Sequence, residues 1–115
     1  MDHESNHVHT LTEAQLISVL TKTIVRLFNP IRVILFGSRA RADARPDSDI
    51  DLLVVLPSVD DKRRAAVEMR KVLKDLPVGK DILVTTPDEV SRRGKLVGTV
   101  LWSALREGRV VFERS

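Results

Sequence analysis

Residues 36–55 read FGSRARADARPDSDIDLLVV. Aspartates stand at every second position, Asp47, Asp49 and Asp51, and the chain then enters an unbroken apolar run, Leu52, Leu53, Val54, Val55 and Leu56. A strand that is apolar at consecutive positions is covered on both faces, so these acids lie at the mouth of a segment that the core will claim. Side chains two apart in a strand project to the same side, about 6–7 Å apart along the backbone; Asp49 and Asp51 therefore share a face. Aspartate is disfavoured in strands, and like charges at a buried mouth raise each other's proton affinity and destabilise the fold. A divalent cation removes that penalty. Asp47 differs: Pro46-Asp47-Ser48 is ordinary turn chemistry, and Asp47 is read as a turn residue.

Working outward, residues 31–36 are short, apolar and β-branched, which predicts a buried strand ahead of the turn. Residues 49–56 form the next strand, stopped by Pro57. Upstream, Thr10 with Glu13 or Thr12 with Gln15 fits a capping box, and Leu16, Leu20, Ile24, Leu27 and Phe28 follow at helical spacing until Pro30. Residues 1–9 have no periodicity and are expected to be a flexible N-terminus. His3, His7 and His9 belong to that polar tail rather than to a metal cluster.

Downstream, residues 60–76 predict an amphipathic helix with Ala65, Met69, Val72, Leu73 and Leu76 inward. Its basic side reads as a solvated face supported by pairs such as Arg64 with Glu68. VGKDILVTT (residues 78–86) is a third strand with Asp81 at its start. Pro87 opens a short helix, a break falls near Gly94, and residues 95–107 predict a last helix with Leu96, Val97, Val100, Leu101 and Leu105 inward. Gly108 caps it, and RVVFE (residues 109–113) supplies a final strand. The expected fold is α/β (α+β), one domain over residues 10–115 with a small mixed sheet flanked by helices.

With 43% hydrophobic and 30% charged residues the 115-residue chain is globular, large enough for one core but not two. A net charge of +3 gives no electrostatic footprint for direct nucleic-acid binding. The absence of cysteine excludes disulfides, thiolate metal sites and cysteine nucleophiles. No apolar run approaches the roughly 18 residues that span a bilayer, and the N-terminus lacks a secretory pattern; a cytoplasmic protein without a membrane role is expected.

Magnesium takes carboxylate oxygens and keeps positions for water or phosphate. If the strand that begins near Asp81 lies beside the one bearing Asp49 and Asp51, three acids meet. That is enough for two ions about 3.5–4 Å apart, which orient the attacking and leaving oxygens of a phosphoryl or nucleotidyl displacement. Gly37 allows close backbone approach directly after a strand, and Ser38 offers a hydroxyl and an N–H to a phosphate oxygen. Arg39 or Arg41 can neutralise a triphosphate.

The combination of Gly37-Ser38, ten intervening residues, and Asp49-x-Asp51, followed by the strand carrying KDILV (residues 80–84), resembles the nucleotidyltransferase superfamily that includes DNA polymerase beta and the aminoglycoside nucleotidyltransferases. The short length and the REGRVVFE ending (residues 106–113) look most like its minimal nucleotidyltransferase (MNT) family. The resemblance implies transfer of AMP from ATP, with Mg²⁺, to an acceptor hydroxyl. It implies that Gly37 and Ser38, with Arg39, hold the nucleotide, that Asp49 and Asp51 ligate both ions, and that Asp81 is the third catalytic and metal-binding acid. It further implies an antitoxin that adds AMP to a tyrosine of a HEPN-domain toxin, alone as a homo-oligomer or as a hetero-oligomer with that toxin. The chain has no tyrosine, so under this chemistry it cannot be its own target.

Two other functions share these features. A binding module could neutralise the toxin by occlusion, without transfer; or the acceptor could be a small molecule of the aminoglycoside type, although those enzymes usually add a domain for the drug pocket.

Overall fold

The computed structural model describes residues 11–41, 48–96 and 98–114. Thr10, Arg45, Pro46, Asp47, Val97 and the three histidines lie outside the described residues. Helix α1 (Glu13–Phe28) starts at the Thr12 capping box, in which Gln15 N–H donates to Thr12 Oγ1 at 3.1 Å and Thr12 N–H donates to Gln15 Oε1 at 2.9 Å. Asn29 ends it in the left-handed conformation at φ 52°. Strand β1 (Arg32–Phe36) follows, then a 3₁₀ turn (Gly37–Arg39). Strand β2 (Ile50–Val55), α2 (Lys62–Val72), β3 (Lys80–Thr85), α3 (Pro87–Arg93), α4 (Val100–Glu107) and β4 (Arg109–Glu113) complete the order.

The sheet runs β3-β2-β1-β4. β1 pairs antiparallel with both β2 and β4, while β2 and β3 are parallel, as a connection long enough to hold a crossover helix permits. It is the small mixed sheet expected. Alternate residues feed two cores. Val33, Leu35, Ile50, Leu52, Val54, Ile82 and Val84 pack with Ile17, Leu20 and Ile24 of α1 and Ala66 and Met69 of α2. On the other face Ile34 and Leu53 meet Ala104 of α4, with Leu83, Leu101 and Leu105 around them. β2 is thus covered on both sides, and Leu53→Ala should cost about 2–5 kcal/mol.

Several expectations shift in detail. Ile17, not Leu27, completes the inner face of α1, and Leu27 is exposed. In α2, Ala66 is buried and Val72 exposed; the helix stops at Val72, and Glu68 pairs with Lys71 at 3.7 Å. The last helix begins at Val100 rather than residue 95, because Gly98 (φ 91°) turns the chain and Thr99 caps through its hydroxyl. Leu96 and Val100 consequently lie outside, and Ala104 carries the contact. Gly108 is the C-cap but in extended backbone (φ −77°). Its need is room, since a Cβ there would strike the Ile34 side chain and the Ala104 carbonyl. Phe112 packs on the α1 side of the sheet. Trp102 is half-buried with the Arg106 guanidinium 5.4 Å from its ring centre.

Candidate active site

Asp51 and Asp81 are register partners on the parallel β2 and β3, so their Cα atoms are separated by about one strand spacing, ~4.8 Å. Both belong to the face that carries Leu53 and Leu83, because Leu52, Val54, Ile82 and Val84 point into the opposite core. Asp49 precedes β2 by one residue and is exposed; Asp51 is half-buried and Asp81 exposed. Antiparallel pairing sets Phe36, the last residue of β1, opposite Asp51, which delivers the Gly37 turn to the same end of the sheet.

Close packing fixes two of the three carboxylates. Gly37 adopts φ 75°, where a side chain is strained, and a Cβ there would overlap Asp51 Oδ2. On the other side of β2, Ile50 N–H donates to the Gly79 carbonyl at 2.8 Å, and a Cβ on Gly79 would overlap Asp49 Oδ1. Gly79 drew no attention in the sequence. Its signal was a glycine at the mouth of a strand, which marks close approach of another group.

Electrostatics tie the acids together. Burial pushes the Asp51 carboxyl above its ordinary 3.8, the charges of Asp81 and Asp49 push it further, and Arg41 pulls against them. The charges of Asp81 and Asp49 are thus both felt at the Asp51 carboxyl. Among the described residues, no three His, Cys, Asp or Glu side chains are gathered into a group that could hold an ion as they stand. The donor set is nevertheless carboxylate oxygen only, which is what a hard divalent cation accepts.

Ser38 sits half-buried in the turn. Arg39 is buried, and its guanidinium is engaged: Nε and Nη2 donate to the Ser48 carbonyl at 3.2 and 2.6 Å, and Nη1 donates to Glu13 Oε1 at 2.6 Å. It thereby fastens α1 and the Gly37–Arg39 turn to the residue before Asp49. Arg41 is exposed and lies 3.8 Å from Glu107. Lys80 turns away from the acids, donating to the Leu76 and Val78 carbonyls at 3.0 and 2.7 Å. Burial holds its ammonium below the usual lysine range.

The family model for the nucleotidyltransferase domain matches residues 17–103, which contain the turn, all three acids and both core faces. The chain belongs to the nucleotidyltransferase domain family. No curated protein matches it in sequence. Among solved structures, this nucleotidyltransferase domain is similar to a Sulfolobus solfataricus protein provisionally named a nucleotidyltransferase. The two are 23% identical with a TM-score of 0.59, over 86% of this chain and 78% of that one. It is also similar to a chain of a mutant MntA-HpeT toxin–antitoxin, at 19% identity and TM-score 0.56, covering 92% of this chain and 76% of that. A third similarity is to a toxin–antitoxin with AMP-PNP, at 16% identity and TM-score 0.50, covering 90% and 76%. At such identities the likeness speaks for the fold. Among the described residues, no helix of the nucleotidyltransferase domain is long and apolar enough to cross a membrane.

Proposed function

We propose that this nucleotidyltransferase domain is an antitoxin that transfers AMP from ATP to a tyrosine hydroxyl of a HEPN-type toxin, dependent on Mg²⁺. The observation that carries the reading is the in-register Asp51–Asp81 pair with Asp49 beside it, opposite a glycine turn that lies against Asp51. Support for a nucleotide and for a toxin partner comes from the similar chains, one in a toxin–antitoxin complex and one in a toxin–antitoxin with AMP-PNP.

In this mechanism Asp49 and Asp51 would hold the cations, with Asp81 as third ligand. When bound, the ions neutralise the phosphates and the departing pyrophosphate. Gly37 lets the backbone approach the nucleotide, and Ser38 donates to a phosphate oxygen. Of the two arginines expected at the triphosphate, Arg39 is already bonded to Ser48 and Glu13, while Arg41 presents the more exposed charge. The acceptor oxygen forms a bond to the α-phosphorus, the bond from that phosphorus to the bridging oxygen breaks, and pyrophosphate leaves. Asp81 orients the acceptor hydroxyl and takes its proton.

Incubation with α-labelled ATP, Mg²⁺ and the purified toxin should label the toxin, and Asp49→Asn should abolish labelling while the far-ultraviolet spectrum stays unchanged. Folded, active toxin that remains unlabelled would count against the proposal. An Asp51→Ala variant that still neutralised the toxin would assign protection to occlusion instead.

A further inference from the structure

Gly79 ends the crossover between α2 and β3. Its φ lies outside the left-handed region, so the backbone conformation does not call for glycine. What calls for it is space. A Cβ on Gly79 would overlap Asp49 Oδ1 and come within 2.8 Å of Asp49 Cγ, and its three nearest neighbours all belong to Asp49. The clash is with the flexible end of a side chain, so an added methyl would move the carboxylate rather than the backbone. Retreat of the loop is opposed from two sides. The Gly79 carbonyl is bonded to Ile50 N–H at 2.8 Å, and the Lys80 ammonium holds the Leu76 and Val78 carbonyls just upstream.

The arrangement mirrors the one at Gly37. Each carboxylate of the Asp49-x-Asp51 pair is seated against a glycine, and the two glycines adjoin the strands on either side of β2, Gly37 directly after β1 and Gly79 directly before β3. An acid projecting from a strand end has a choice of rotamers; because Gly79 has no Cβ, the one that lays Asp49 Oδ1 against the Gly79 backbone stays open, and a methyl there would exclude it. We infer that Gly79 is a positioning residue for Asp49, acting through that carboxylate, and that Lys80 steadies the loop which carries it. The cation arm of this inference rests on the proposed reading of the acids as cation ligands.

Two measurements test it, one of them independent of any cation. In the first, Mg²⁺ with AMP-PNP is titrated into wild type, Gly79→Ala and Lys80→Met by calorimetry. Outer-shell groups that orient a ligand set metal affinity by about 10–100-fold. Gly79→Ala should weaken Mg²⁺ uptake by at least about tenfold, and Lys80→Met by less, with helical content unchanged. Uptake at the wild-type level by Gly79→Ala would overturn the inference. In the second, thermal unfolding in chelator compares Gly79→Ala in the wild-type and Asp49→Ala backgrounds. The substitution should lower Tm when Asp49 is present and should not when it is absent. An equal drop in both backgrounds would also overturn it. If wild type took up no Mg²⁺, the proposed function would fail, and the thermal cycle would still decide whether Gly79 acts on Asp49.

Discussion

The β2–β3 pair carries a partly buried carboxylate near each end, and the two are treated in opposite ways. At one end Asp51 meets burial plus the charges of Asp81 and Asp49, and its proton affinity rises. At the other end Glu89, on α3, is also drawn upward by burial. There the hydrogen bonds from Lys62 and Thr85, and the charges of Lys62 and Arg93, more than offset burial and hold the carboxyl below the usual glutamate value. Both bonds measure 2.5 Å, and Thr85 is itself buried at the end of β3. At Glu89 the donors outweigh burial, whereas at Asp51 the pull of Arg41 does not. The contrast accords with the proposed roles, Glu89 as a structural part and Asp51 as a ligand-binding acid.

The largest expected effect separates the two ends by activity. Asp51→Ala should lower nucleotidyl transfer by orders of magnitude, while Glu89→Gln leaves turnover near wild type in a radiolabel assay at a temperature where both are folded. Comparable losses from both would erase the distinction.

Next in size is stability at the compensated end. Glu89→Gln should cost about 1–2 kcal/mol by urea denaturation at pH 7, as for a hydrogen-bonded charged group. The folded carboxyl titrates below its ordinary 4.5, so its contribution is fully present above pH 4.5 and is lost as pH falls through the lower folded value. Wild type and variant should therefore converge in acid; a difference that persisted unchanged at pH 3 would assign the cost to packing instead.

Smaller and of opposite sign is Asp51→Asn. Because the folded carboxyl titrates above 3.8, the ionised group destabilises the native state at neutral pH. In chelator at pH 7 the variant should melt above wild type, and the gain should vanish below pH 3.8, where both states of the wild type carry the proton. Mg²⁺ should reverse the order. A variant that melts lower in chelator would mean that burial and the charges of Asp81 and Asp49 do not destabilise the ionised Asp51.

The smallest effect belongs to Lys62→Met, about 0.5 kcal/mol or less, because the ammonium is half exposed. Its signature is a Glu89 titration that moves back toward the ordinary value, readable by carboxyl NMR shifts.

Much of this was legible in the chain. The Thr12–Gln15 box, Pro87 and the two-sided apolar run of β2 each specify structure through contacts a few residues apart, and they formed where expected. The Gly37-Ser38 and Asp49-x-Asp51 spacing is legible for the same reason: a turn and a strand end determine it. Three things were not legible. Which helical flank faces inward depends on the angle at which a helix crosses the sheet, so Leu27, Val72, Leu96 and Val100 fell outside while Ile17, Ala66 and Ala104 fell inside. The start of α4 hung on Gly98 taking a positive φ, a choice that the periodic pattern ran straight through. The role of Gly79 required knowing that β3 lies parallel to β2 with Lys80 beside Ile50, a long-range pairing that local sequence does not encode.

That parallel pairing has one further consequence. Strands running the same way both begin at one rim, so an acid at the front of each meets its counterpart whatever the 56–79 crossover does in between. The ladder of backbone bonds, not the length or make-up of that detour, sets how far apart the two acids stand. Lineages can therefore lengthen, shorten or rewrite the detour and reshape what covers the sheet, while the rim keeps its spacing.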